Sequence, residues 1–250
     1  MTIRHASAED MEAVAALVRA SFDAVVGRYM VYTQQGVGAF LRVFLDHPHL
    51  SPDRTFLVAD NGDGAVEGFA EFRTSGESSS FLSYLCIATY ARGKGLGQAL
   101  VEAFFEIRPH ISEMRLDVFH DNAPALALYQ KLGFQSEDVG VWFSKNLPLA
   151  SNLVPTITDL TTSEACFRAY GFSELTLRHE GRDARLGRIG PCVLRCFSAT
   201  DFADEYLHAA ARAAFPTLTE ALYIASGRDV EAQPPSASIV NRSIRLIWTR

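Results

Sequence analysis

Ile87-Ala88-Thr89-Tyr90-Ala91-Arg92-Gly93-Lys94-Gly95-Leu96-Gly97 is the stretch on which the reading of this chain turns. An apolar run, Phe81–Ile87, precedes it, and an amphipathic segment from about Leu96 to Ile107 follows and stops before Pro109. A strand therefore feeds a glycine-rich loop that opens a helix. Glycines let backbone N–H groups converge without side-chain obstruction, and a helix N-terminus adds partial positive charge. Arg92 and Lys94 place full charges beside them. Such a loop suits a pyrophosphate; the plainer alternative is a glycine-rich turn with no ligand. Two common phosphate loops do not fit. A dinucleotide fold wants three spaced glycines early in a strand–helix–strand unit with an acidic residue about 20 positions on, and a Walker loop wants Ser or Thr after its lysine, where this chain has Gly95.

Outward from the loop the pattern is mixed. On its N-terminal side, Thr2–His5 reads as a short strand, and Ser7 with Asp10 opens a helix carrying Met11, Val14, Ala15, Leu17, Val18 and Phe22 at helical spacing. A second helical stretch runs from Gly36 to Leu45. Phe56–Asp60 and Val66–Thr74 read as strands joined by the turn Asn61-Gly62-Asp63-Gly64. On its C-terminal side come a strand at Met114–Phe119, a helix at Ala123–Leu132 closed by Gly133, and a strand at Val141–Lys145. The helix belongs to Asp121-Asn122-Ala123-Pro124-Ala125-Leu126-Ala127-Leu128-Tyr129-Gln130-Lys131-Leu132-Gly133-Phe134. Asn122 caps it, Pro124 favours its first turn, and Tyr129, seven residues after Asn122, falls nearly above it on one face. Taken singly, Asn122 reads as a cap and Tyr129 as core.

Together the two motifs change that reading. Arg92-x-x-Gly95-x-Gly97, followed at this distance by the Asn122–Tyr129 helix, resembles the GNAT superfamily of acetyltransferases over residues 2–146, with Thr89 where a proline is usual. The resemblance implies a GNAT fold: an α/β (α+β) domain with a mixed central sheet and flanking helices. It implies acetyl-CoA as cosubstrate, with the loop Arg92, Gly93, Lys94, Gly95, Leu96 and Gly97 on the pyrophosphate. The strand Leu85, Cys86 and Ile87 would present backbone groups to the pantetheine arm, and Asn122 would bond that arm or help place the acceptor. Tyr129 would be the general acid that protonates the departing thiolate, and a backbone N–H of the strand would polarise the thioester carbonyl. The acceptor amine must also lose a proton. Glu71, Tyr84, Asp117 and His120 are the candidates for that base, and Glu71 ranks first because it sits in the apolar run Gly68–Phe72.

Around Asn146–Asn152 the periodicity lapses, so the chain divides into a domain at 1–148 and a smaller α+β domain at 151–250. The second part reads as a strand at Asn152–Leu160, a helix at Thr162–Tyr170, a strand at Glu174–His179, and a pair at Arg185–Phe197 broken at Gly190-Pro191. A helix at Asp201–Ala214 and a strand at Ser243–Trp248 complete it. Asp159, Phe167-Arg168-Ala169-Tyr170-Gly171-Phe172 and Ile244-Arg245-Leu246-Ile247 resemble two βαβββ modules of the bleomycin-resistance/glyoxalase (vicinal oxygen chelate) fold. Its metal-binding members carry a His in the first strand and a Glu in the last. Pro155 and Arg245 stand near those places here, which implies a binding-only module without metal. A rival reading takes Phe167–Phe172 as a degenerate echo of Tyr129–Phe134.

Charge and cysteines narrow the classes. Residues 1–150 hold 18 acidic and 12 basic side chains and residues 151–250 eleven of each, so neither part offers a basic surface for nucleic acid. No apolar stretch approaches the ~18 residues of a membrane span, and Met1–His5 shows no signal peptide. Four cysteines, Cys86, Cys166, Cys192 and Cys196, make no disulfide framework, and Cys192–Cys196 lacks a second pair for a metal. The expectation is a cytoplasmic N-acetyltransferase acting on a primary amine by direct transfer in a ternary complex, the acceptor being a small molecule, antibiotic-like if the second resemblance holds. The alternative is a non-catalytic acetyl-CoA sensor or drug-binding protein. Homodimer formation is left open.

Overall fold

The computed structural model describes residues 2–150, 155–179, 181–231 and 236–250. In chain order the elements are β1 (Thr2–His5), α1 (Met11–Ser21), α2 (Ala24–Gly27), α3 (Val37–Asp46), β2 (Arg54–Asp60), β3 (Val66–Ser75) and β4 (Ser79–Ile87). There follow α4 (Leu96–Ile107), β5 (Glu113–Phe119), α5 (Ala123–Lys131), β6 (Gln135–Asn146), β7 (Thr156–Ile157), α6 (Leu160–Tyr170) and β8 (Phe172–His179). The last are β9 (Arg182–Ile189), β10 (Val193–Cys196), α7 (Ala199–Ala203), α8 (Glu205–Ala214), β11 (Glu220–Ser226) and β12 (Ser238–Thr249). No helix among the described residues is long and apolar enough to cross a membrane.

The chain forms two compact units. The first comprises Met1–Asp23, Gly38–Asp138 and Ser243–Arg250; the second comprises Ala24–Val37 and Val139–Arg242. The boundary expected at 148–151 differs from this division. β6 runs on to Asn146 without a break, Leu147 is buried and donates its N–H to the Thr219 carbonyl, and the chain's last eight residues belong to the first unit. Of the linker expected at 146–152, residues 151 and 152 lie outside the described residues, as does the start of the strand expected from Asn152.

In the first unit β1, β2, β3 and β4 are successively antiparallel, β4 and β5 are parallel, and the Ser243–Thr249 part of β12 lies antiparallel to β5. The β2–β3 hairpin turns where the sequence demands it: Asn61 Oδ1 accepts from the N–H groups of Asp63 and Ala65, and Gly62 and Gly64 have φ of 97° and 85°. On one face Leu57, Ala59, Ala70, Phe72, Leu116 and Leu246 pack against Leu96, Leu100 and Phe104 of α4, with Phe72 and Phe104 stacked at 4.0 Å. Burying each such ring stabilises the unit by about 1.5–3 kcal/mol. On the other face Phe69 stacks on Phe56, which meets Phe44 of α3.

The second unit repeats this strand plan. β7, β8, β9 and β10 are antiparallel, β10 and β11 are parallel, and β6 is antiparallel to β11. Leu175, Leu186, Leu194, Phe202, Leu207 and Leu218 centre its core. The order β7–α6–β8–β9–β10 is one βαβββ run, but β11 and β6 complete its sheet, and no second such module follows among the described residues. Two local expectations also change. The helix expected at Asp201–Ala214 is broken at Asp204, whose carboxylate accepts from the Leu207 N–H and caps α8. The strand β11 was not visible in the sequence, because Glu220-Ala221-Leu222 carries helix-favouring residues whose burial by β6 and β10 decides the outcome.

Candidate active site

β4 and β5 pair in parallel only from Ser79↔Glu113 to Leu82↔Leu116. Beyond that point β4 stays with β3 and β5 with β12, so the two strands part. Leu85, Cys86 and Ile87 line the parting side of β4, and the glycine loop leaves from its end. There the Arg92 side chain donates to the Ile87 carbonyl at 3.3 Å. Gly93 and Gly95 have φ of 77° and 81°, a backbone that other residues adopt at a cost, and a Cβ on either would meet nothing within 4 Å. Arg92, Gly93, Lys94 and Gly95 are exposed, while Leu96 and Gly97 are buried. Among the described residues the N–H groups of Gly93, Lys94 and Gly95 donate to no protein acceptor. Unpaired N–H groups at the start of a twelve-residue helix, with two cationic side chains, form a cradle for an anion. Gly97 does different work: a Cβ there would lie 2.9 Å from Leu128 Cδ2, so its absence lets α4 and α5 approach closely.

In α5 the cap stands where the sequence put it. Asn122 caps the helix, its Oδ1 accepting from the Ala125 N–H at 3.2 Å, which leaves its amide as donor. Tyr129 is buried, and no hydrogen-bond partner meets its hydroxyl among the described residues. Burial, and next the nearby Cys86, push its pKa well above the usual phenol value, so it keeps its proton throughout the neutral range. Cys86 is buried too. Burial raises its thiol to about 11, against smaller opposing effects of a hydrogen bond with Ser21 and the charge of Arg92.

Of the four candidate bases, Glu71 stands apart. It shares a face of the sheet with Phe56 and Tyr84, its partners on β2 and β4. Its side chain is wholly buried; Oε1 accepts from Arg54 at 2.5 Å and from Arg73 at 3.1 Å, while Oε2 is buried with no partner. A buried carboxylate oxygen without a donor is costly and marks a place where a ligand's N–H would be welcome. Asp117 is committed to a bidentate pair with Arg245, and His120 is exposed. Tyr84 is half-buried, with Phe22 against its ring edge at 6.4 Å. The structure thus gathers Leu85, Cys86, Gly97 and Tyr129 around the parting strands, and it sets Glu71 and Tyr84 on the face of the sheet away from α4.

Sequence reasoning missed Ser21, Phe22, Arg54 and Arg73. Ser21 reaches Cys86, and Phe22 packs edge-on against both Tyr84 and Phe119, so the end of α1 closes the parted strands. The arginines come together only when the hairpin folds about its turn, which pairs Arg54 with Arg73. No set of three or more His, Cys, Asp and Glu side chains suited to a metal exists among the described residues.

Comparison with known proteins agrees with this geometry. Residues 52–136, which include β2 to α5, match the family model described as an acetyltransferase (GNAT) domain. A mycothiol acetyltransferase of Corynebacterium jeikeium is 35% identical over 65 residues, covering 25% of this chain and 19% of that protein. One of Saccharomonospora viridis is 32% identical over 100 residues, covering 36% of this chain and 33% of that protein. The chain thus spans a third or less of the curated relatives it matches. The solved structure of a Pyrococcus horikoshii protein designated an acetyltransferase superposes with a TM-score of 0.66 at 15% identity, covering 100% of this chain and 89% of that one. The likeness in fold to that protein extends over the whole chain.

Proposed function

We propose that this protein transfers the acetyl group of acetyl-CoA to the primary amine of a small molecule, by direct attack while both are bound. The observation that carries the proposal is the joint placement of a free N–H cradle at the start of α4 and a buried, proton-bearing Tyr129 beside parted strands. Arg92, Gly93, Lys94, Gly95 and the first turn of α4 at Leu96 would hold the pyrophosphate, with Gly97 keeping α4 against α5. Leu85, Cys86 and Ile87 would guide the pantetheine with backbone groups, and one of their N–H groups would polarise the thioester carbonyl. Asn122 would donate its free amide to the arm.

In the reaction the amine nitrogen forms a bond to the acetyl carbon as the carbon–sulfur bond breaks. The amine's surplus proton passes to Glu71, through its unpartnered Oε2 or a water, and the Tyr129 proton passes to sulfur. Holding both reactants in one cleft converts a bimolecular encounter into an intramolecular step, and the acid and base each lower the barrier further.

A small-molecule acceptor is supported by the mycothiol acetyltransferases to which part of the chain is similar. The strand plan of the second unit, which repeats that of the first, adds no support for an antibiotic-like acceptor. Four free thiols fit a reducing, cytoplasmic setting. The test is thiol release from acetyl-CoA across a panel of amines that includes aminosugars, polyamines, amino acids and glycopeptide drugs. Acceptor-dependent release supports the proposal, and its absence with every acceptor contradicts it.

A further inference from the structure

Tyr129 sits on a helix with little hold of its own. α5 is nine residues long, too short to persist alone, and Tyr129 is its one fully buried residue. The helix end must therefore be fixed from outside, and the residue that does so lies at the far end of the chain. Trp248 packs over the Gly133 backbone, where a Cβ would lie 3.6 Å from its Cδ1 and 3.8 Å from its Nε1. Gly133, with φ of 88°, turns the chain at the end of α5 and donates to the Gln130 carbonyl; the next N–H, of Phe134, donates to the Tyr129 carbonyl at 2.9 Å. The Phe134 ring then meets the Tyr129 ring edge-on at 5.6 Å. On its other side the indole contacts Phe105 of α4 at 4.5 Å.

Trp248 is itself held firmly. It pairs with Met114 on β5, two residues from the buried pair Leu246↔Leu116. Arg250 ties the strand end down, its N–H donating to the Ser112 carbonyl and its side chain to the Pro109 carbonyl at 2.7 Å. The geometry points to Trp248 as a positioning residue for acetyl transfer: the C-terminal strand clamps the turn after α5 and so sets where the Tyr129 hydroxyl stands. This rests on the acetyl-transfer reading above. It assigns this positioning role to Trp248 and not to the strand's other residues, Ile247 among them.

The test uses the full-length chain with Trp248→Ala, Trp248→Phe and, as a control on the same strand, Ile247→Ala, whose side chain lies outside the core shared with Tyr129. The inference expects Trp248→Ala to lower kcat by about 10–100-fold, the scale of a sub-ångström to ångström misplacement of a reacting group. Acetyl-CoA affinity, measured by calorimetry, should stay within about threefold, less than 1 kcal/mol. Trp248→Phe should recover most of kcat, and Ile247→Ala should keep it. In a Tyr129→Phe background Trp248→Ala should cost nothing more; a full further loss there, or an unchanged kcat in the single variant, overturns the inference. Amide exchange over residues 123–134 gives a readout independent of turnover. It should quicken in Trp248→Ala and not in Ile247→Ala, and equal protection in all forms overturns the inference. If the unaltered protein turned over no acceptor, the acetyl-transfer reading would fail, while the exchange result would still decide whether Trp248 holds α5.

Discussion

Removing a single oxygen atom, by Tyr129→Phe, separates three properties that usually change together. The Tyr129 hydroxyl has no hydrogen-bond partner among the described residues, and its ring packs against Phe134 at 5.6 Å. Phenylalanine preserves the ring contact and breaks no hydrogen bond within the described residues, so folding stability should change by less than about 1 kcal/mol. The anion cradle lies on the loop and α4 rather than on α5, so acetyl-CoA affinity should stay within about twofold, some 0.4 kcal/mol. Turnover should not survive so well. A positioned proton donor contributes roughly 10²–10⁴-fold to a step of this kind, which corresponds to about 3–5 kcal/mol of barrier. Denaturant titration, calorimetry with acetyl-CoA and steady-state thiol release on one preparation read the three quantities. A variant that kept normal kcat would refute the role of Tyr129. One that lost affinity in step with kcat would show that the residue holds the cosubstrate rather than serving the chemistry.

Three further expectations follow from other parts of the structure. Gly95→Ala meets no steric obstacle, but it forces a side chain into a left-handed backbone at a cost of about 1–2 kcal/mol; acetyl-CoA binding should weaken by about tenfold with kcat at saturation unchanged, and undiminished affinity would argue against the cradle. Glu71→Gln should lower turnover, most strongly at low pH where more of the amine is protonated, while acetyl-CoA affinity holds; an unchanged kcat across the pH range would remove Glu71 from the mechanism. In the second unit, burial, reinforced by Lys145, lowers the pKa of His208 to about 4, below the 6.5 of an exposed histidine, although Asp201 and Asp204 oppose the shift. The unfolded chain therefore takes up that proton first, so the stability due to the neutral ring is full above about pH 6.5 and is lost as pH falls toward 4. About 2 kcal/mol should go between pH 7 and pH 5, as read from urea midpoints; a His208→Leu variant with the same pH dependence would disprove the assignment.

The legible parts of this molecule were those where local chemistry decides structure. Asn61–Gly64 can only turn, Asn122 and Pro124 start a helix, Gly133 ends it, and the order of strand, glycine loop and helix fixes where an anion would sit. The same locality explains the first missed feature. An alternation of apolar residues reveals that Ser243–Trp248 is a strand, but it does not name the partner strand, and the pairing with β5 follows from registers such as Leu246↔Leu116 that only the folded chain determines. The assignment of Ser243–Arg250 to the first unit was out of reach of the sequence for this reason. The second unit was harder still. Its counterpart of the loop, Phe197 and Ser198 before α7, contains no glycine, and the one echo the sequence offered, Phe167–Phe172, lies at the end of α6 before β8 rather than after the parallel strand. Glu71 was found because a carboxylate in an apolar strand is conspicuous; its two arginine partners were obscured because each, taken alone, reads as a solvated end of a strand.

The most direct test of the central claim is calorimetric titration of the full chain with acetyl-CoA, followed in the same cell by an acceptor that supports thiol release. The account requires one acetyl-CoA per chain, since the glycine loop occurs once, and binding that weakens in Gly95→Ala but not in Tyr129→Phe, with thiol release dependent on the acceptor. Absence of acetyl-CoA binding, or binding that Gly95→Ala leaves untouched, would contradict it.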